Sequence, residues 1–167
     1  MIEIRTFEGD AAEMADFVVP IWRRTYEGQM LIPVWTPETL EWNLLLERPD
    51  RTEHSILVAA YKGTKLVGLH PARFFPIQLR DRALLVTLGS WMTVDPEHRR
   101  QGIAKKMHTE FQRCHLERGA LLNFGYLIKR SSAFLGTQFW TKRPKGSAPV
   151  CSLGMWMRAL NHSEVAR

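Results

Sequence analysis

A chain of 167 residues with 45% hydrophobic and 24% charged residues has the size and balance of one globular domain that buries a sizeable core. No apolar run approaches the ~18 to 20 residues of a membrane helix, and Met1-Ile2-Glu3-Ile4-Arg5 lacks the basic end and apolar stretch of a secretory leader. A cytoplasmic, membrane-free protein is therefore expected, and the formal net charge of +6 suits a nucleic acid, an acidic substrate or a polyphosphate cofactor without choosing among them.

Ile2, Ile4 and Phe7 alternate as in a short strand, and Asp10-Ala-Ala-Glu13 follows as a capping box opening a helix. Met14, Phe17, Val18, Ile21 and Trp22 recur at helical spacing there, with Pro20 expected to kink or shorten the helix. An irregular stretch leads to a second helix, with Thr36 as N-cap and Pro37 at its first position, stopping before Pro49. Tyr26, Trp35 and Trp42 fall in or beside this stretch and either clasp a substrate or pack. Ser55 to Tyr61 and Lys65 to His70 flank Lys62-Gly63-Thr64 as a hairpin. Ala83 to Val94 is almost wholly apolar, as in a central strand covered on both faces.

After Asp95 to Gly102 a helix carries Ile103, Met107, Phe111 and Cys114 on one face and ends at Gly119. Leu121 to Ile128 reads as a strand, Ser131 to Gln138 as a short helix and Cys151 to Leu160 as a last strand. The order predicts an α/β chain: one mixed β-sheet flanked by helices over residues 1–160, with a tail over 161–167. Cys114 and Cys151 are expected to be buried free thiols, and no paired His or Cys spacing indicates a metal.

The chemistry concentrates in Val94-Asp95-Pro96-Glu97-His98-Arg99-Arg100-Gln101-Gly102-Ile103-Ala104, a strand-to-helix connection rich in backbone donors and positive charge. Gly102 removes a side chain where a phosphate approaches the backbone, and small Ala104 keeps the helix start open. No Gly-x-x-x-x-Gly-Lys-Ser/Thr and no Gly-x-Gly-x-x-Gly occurs, which disfavours ATP and NAD.

This segment resembles the signature of the GNAT superfamily of N-acetyltransferases, Arg/Gln-x-x-Gly-x-Gly/Ala, matched by Arg99-Arg100-Gln101-Gly102-Ile103-Ala104 between a strand and a helix. The resemblance implies a GNAT-like acyl-CoA N-acyltransferase fold with acetyl-CoA as co-substrate and an amine as acceptor. It implies that Arg99 and the amides of Arg100, Gln101, Gly102, Ile103, Ala104 and Lys105 hold the coenzyme A pyrophosphate. Backbone of Met92, Thr93 and Val94 would pair with the pantetheine and the thioester carbonyl. Homodimers are frequent in the family.

Two residues are the catalytic candidates. Many members carry a glutamate base where this chain has Ser90, and no carboxylate occurs between Ala83 and Val94. The family's tyrosine acid aligns with Phe134 or Leu135, neither of which donates a proton, leaving Tyr126 as the nearest substitute phenol, or as a core aromatic. His70, His98, His108 and His115 are expected to be solvated or hydrogen-bonded rather than basic catalysts. Two further readings stand beside acetyl transfer to a small-molecule or protein amine. One is an acyl-CoA sensor without turnover; the other is a nucleic-acid- or ribosome-associated protein using Arg99, Arg100, Lys142, Arg143 and Lys145 as phosphate contacts.

Overall fold

The computed structural model describes residues 1–29, 32–44, 46, 49–89 and 91–125. Within them run β1 (Ile2–Thr6), α1 (Ala11–Tyr26), α2 (Pro37–Leu44), the single turn α3 (Arg51–His54), β2 (Ser55–Lys62), β3 (Lys65–Leu79), β4 (Arg82–Gly89) and β5 (Thr93–Val94). A 3-10 turn (Pro96–His98), α4 (Ile103–Glu117) and β6 (Leu122–Phe124) complete the order. The elements expected after residue 125, and the tail, lie outside the described residues.

Both helix starts form as their sequences dictate. The Asp10 carboxylate accepts the Glu13 amide at 2.8 Å, and Thr36 Oγ1 accepts the Thr39 amide at 3.2 Å, each satisfying a donor that the helix leaves unpaired. Pro20 does not shorten α1, which continues to Tyr26. Pro20 and Asp16, whose carbonyl loses its partner, both lie on the exposed side, where solvent can take up that carbonyl.

The sheet runs β1-β2-β3-β4-β6, antiparallel except for the parallel pair β4–β6, so it is mixed as expected. Two expectations change. Strand β3 extends to Leu79 through Pro71 and Pro76, and the long strand expected over 83–94 is divided into β4 and β5. β3 pairs with β4 from Leu79↔Arg82 to Ala72↔Gly89, and with β5 at Leu69↔Thr93 and Gly68↔Val94. Between Ala72↔Gly89 and Leu69↔Thr93 the register shifts, leaving one residue more on the β4–β5 side than on β3. That extra residue is a bulge, which ends one ladder and begins another.

α1 and α2 cover one face of the sheet, burying Met14, Val18, Leu40 and Leu44 with Leu57 and Leu69. α4 covers the other, burying Ile103, Met107 and Phe111 with Val58, Val67, Ala72 and Phe74. Gly68 sets how closely α4 approaches: a Cβ there would lie 3.0 Å from Met107 Sδ and 3.1 Å from both Ala60 Cβ and Ile103 Cγ2. Gly68→Ala should therefore cost about 1 to 3 kcal/mol by overpacking, read as a lower denaturation midpoint at unchanged slope. A stability equal to wild type would show that α4 does not depend on this contact.

Candidate functional site

The bulge is held in shape from the α1 side. Trp91 lies in it with a positive φ of 50°. Next to it, Thr93 Oγ1 accepts from Trp22 Nε1 at 2.7 Å and donates to the Trp91 carbonyl at 2.6 Å. Arg99 Nε donates to the Val94 carbonyl at 3.1 Å, and its Nη2 donates to Thr25 Oγ1 at 3.2 Å. The Arg99 and Thr93 side chains thus tie β5 to α1. β5 pairs with β3 on one edge, and among the described residues no strand pairs with its other edge.

A chain of aromatic rings extends from this point. Trp91 lies 5.2 Å from Trp35, Trp35 4.6 Å from Trp22, and Trp22 4.9 Å from Tyr26, between centroids. Trp35 is buried and packs, whereas Trp42 is exposed. Burial pushes the Tyr26 phenol up, and nearby Arg99 offsets only part of that.

After β5 the chain is pinned by Asp95. Its amide donates to the Val67 carbonyl at 3.0 Å and its carboxylate accepts the Glu97 amide at 3.1 Å. Burial alone would raise the Asp95 carboxyl, but the Glu97 amide, the Lys65 ammonium at 3.2 Å and His98 at 3.3 Å together hold it below its usual value. Asp95, Glu97 and His98 bring potential metal-ligand atoms within 4.8 Å of one another, with the Lys65 ammonium already supplying a positive charge there.

Arg100 and Gly102 take positive φ values of 62° and 75°, and Gly102 caps α4 without any side-chain hydrogen bond. A Cβ on Gly102 would meet nothing within 4 Å, so the glycine serves the backbone turn and the open space over it. α1 and α2 each place a glutamate in their first turn, Glu13 and Glu38, against the positive helix end. α4 has no acidic residue there and instead exposes Lys105 and Lys106. Arg100, Gln101, Gly102 and Lys105 share the exposed surface, Ala104 is half-buried, and Ile103 contributes backbone only, its side chain being in the core.

Of the two expectations for the histidines, solvated or hydrogen-bonded, the first does not hold. His70, His98, His108 and His115 are all buried. Three of them surround Phe111 on the α4 face: His70 at 4.7 Å, His108 at 5.7 Å and His115 at 5.8 Å between centroids. Thr87 Oγ1 lies 3.0 Å from His115 Nδ1 and donates to Asn123 Oδ1 at 3.1 Å. Counting only apolar residues along α4 misses His108 and His115, which continue its buried stripe beside Phe111.

On the opposite face a cleft of about 460 Å³ opens beside the bulge. Asn43 and Leu44 of α2, Pro71, Arg73 and Phe75 of β3, Leu88 of β4 and Trp91 line it. No sequence motif marked Arg73 or Trp91; both are brought to the site by the length of β3 and by the bulge. Ser90 and Tyr126, the catalytic candidates, lie outside the described residues.

No protein-family model matches this chain, and no curated protein matches it by sequence. Solved structures do match. An aminoglycoside acetyltransferase from an uncultured soil metagenomic sample, in complex with sisomicin, is 20% identical with a TM-score of 0.64, covering 95% of this chain and 96% of its own. Glucosamine-6-phosphate N-acetyltransferase from Arabidopsis thaliana is 10% identical with a TM-score of 0.66, covering 95% and 99%. PaiA N-acetyltransferase from Thermoplasma acidophilum, in complex with coenzyme A, is 19% identical with a TM-score of 0.62, covering 85% and 87%. The chain has the GNAT acyl-CoA N-acyltransferase fold of these neighbours.

Burial holds the His115 imidazole below its usual value, so the ring is neutral in the fold at a pH where the unfolded chain already takes up a proton. The stability it contributes is complete above about pH 6.5 and declines as the pH falls from there toward the depressed folded value. Chemical denaturation at pH 7.5 and 5.5 should show a smaller loss in His115→Gln than in wild type. Equal losses would contradict the assignment.

Proposed function

We propose that this protein is a single-domain GNAT N-acetyltransferase that takes an acetyl group from acetyl-CoA and delivers it to a primary amine. The observation that carries this reading is the pairing of two features on one short segment, a strand edge and the helix start that follows it. Beyond the bulge one edge of β5 has no strand partner among the described residues, and a few residues later a helix start leaves its positive end uncompensated and open. A pantetheine arm can pair with such a backbone edge and a pyrophosphate with such a helix start.

Acetyl-CoA supplies the acyl group as an activated thioester. In this reading the amides of 100–105 bind its pyrophosphate, with Lys105 adding charge, and the backbone of Met92, Thr93 and Val94 orients the arm. The Val94 carbonyl keeps a lone pair for a second donor beside Arg99. The acceptor amine enters from the cleft beside Trp91, on the α2 face, so that both reactants meet at the bulge. The described cleft lining contains no carboxylate, imidazole or phenol. Water, Ser90 and Tyr126 are the candidates we propose to take the amine proton.

Titration calorimetry of acetyl-CoA into the protein tests the reading, with Gly102→Ala and Gly102→Glu as variants. Both variants carry the same strain at a positive φ, about 1 to 2 kcal/mol, but only glutamate places a carboxylate at the anion site. Wild type and Gly102→Ala should bind, while Gly102→Glu should lose at least about tenfold in affinity. Wild-type protein without affinity for acetyl-CoA would overturn the proposal, and binding without thiol release across amines would leave only the sensor reading.

A further inference from the structure

Arg73 lies on β3 at the edge of the cleft. Its Nη1 donates to the Asn43 carbonyl at 3.3 Å, and among the described residues this is the one partner of its half-buried guanidinium. The rest of the lining is Asn43, which has no charge, and apolar side chains: Leu44, Pro71, Ala72, Phe75, Leu88 and Trp91. A guanidinium drawn from water against apolar walls favours an anionic partner, and its planar fork fits a carboxylate with two parallel hydrogen bonds. No Asp or Glu is among the described lining residues to take that place, and the chain's net charge of +6 opposes polycations.

We infer that the acceptor is a small amine carrying an anionic group, a carboxylate above all, on an apolar or aromatic body. Arg73 holds the carboxylate, and Phe75, Leu88 and Trp91 hold the body. The inference rests on the acyltransferase reading and narrows it. It sets this cleft apart from one that accepts an aminoglycoside, whose several ammonium groups would face an arginine with no described carboxylate to receive them.

The test compares L-phenylalanine with L-phenylalaninamide, which differ in charge but share a body, and includes kanamycin as a polycation. Thiol release from acetyl-CoA is followed in wild type, Arg73→Gln and Arg73→Lys, and coenzyme A affinity is measured on each protein. The acid-to-amide ratio of kcat/KM should be lower in Arg73→Gln than in wild type by about tenfold or more, with Arg73→Lys between them. Taking the ratio in each protein cancels the different basicity of the two amines. The same comparison is made by calorimetry on protein saturated with coenzyme A, so a chain that does not turn over these amines is still judged on binding. A ratio unchanged in Arg73→Gln, equal binding of acid and amide, no binding of the acid, or preferred turnover of kanamycin overturns the inference while leaving the acyltransferase reading intact. Failure of coenzyme A to bind wild-type protein would instead fall on that reading.

Discussion

The bulge between Gly89 and Thr93 is the constraint from which the rest of the site follows, because it breaks the β3 ladder in the middle of a buried sheet. One extra residue there turns the strand over. Thr87 points to α4, where it meets His115, while Trp91 and Thr93 point to α1. Backbone polar groups in such a place need partners, and a free sheet edge inside a fold invites another chain or ligand to supply them. Pro71 sits on β3 at the same break, where it has no amide hydrogen to leave unpaired. The Trp22–Thr93 and Arg99–Thr25 hydrogen bonds then hold the broken strand against α1 rather than letting it close.

The two faces of the sheet divide the work. On the α4 face a close approach at Gly68 brings the helix start next to β5, so the positive helix end and the strand edge lie within one short segment of chain. On the α1 and α2 face the bulge projects Trp91 into a mostly apolar cleft beside Arg73. The proposed anion-binding corner and the proposed acceptor cleft thus both adjoin the bulge. The uncompensated start of α4 is meaningful because the other two long helices are compensated: Glu13 and Glu38 occupy the place that α4 leaves empty of negative charge.

Much of this was legible in the residues. Asp10 and Thr36 announced two helix starts, the Arg99 to Ala104 run announced the turn into α4, and the order of strands and helices announced a mixed sheet. The bulge was not legible, since residues 83–94 are apolar on both sides of it and a doubly covered strand shows no alternation from which a phase change can be read. Arg99 stands at the head of the motif, and its hydrogen bonds from Nε to Val94 and from Nη2 to Thr25 are an internal role that the motif did not announce. The buried histidines escaped because periodicity counts apolar residues, and the full length of β3 escaped because Pro71 and Pro76 read as strand breakers.

Amide chemical-shift mapping of the isotopically labelled protein, titrated with acetyl-CoA, tests most directly the claim that one segment binds the coenzyme through its backbone. The largest shifts should fall on residues 92–94 and 100–105, while the amides of β1 and of α2's first turn stay in place. Shifts confined to other surfaces, with residues 92–94 and 100–105 unmoved, would contradict it.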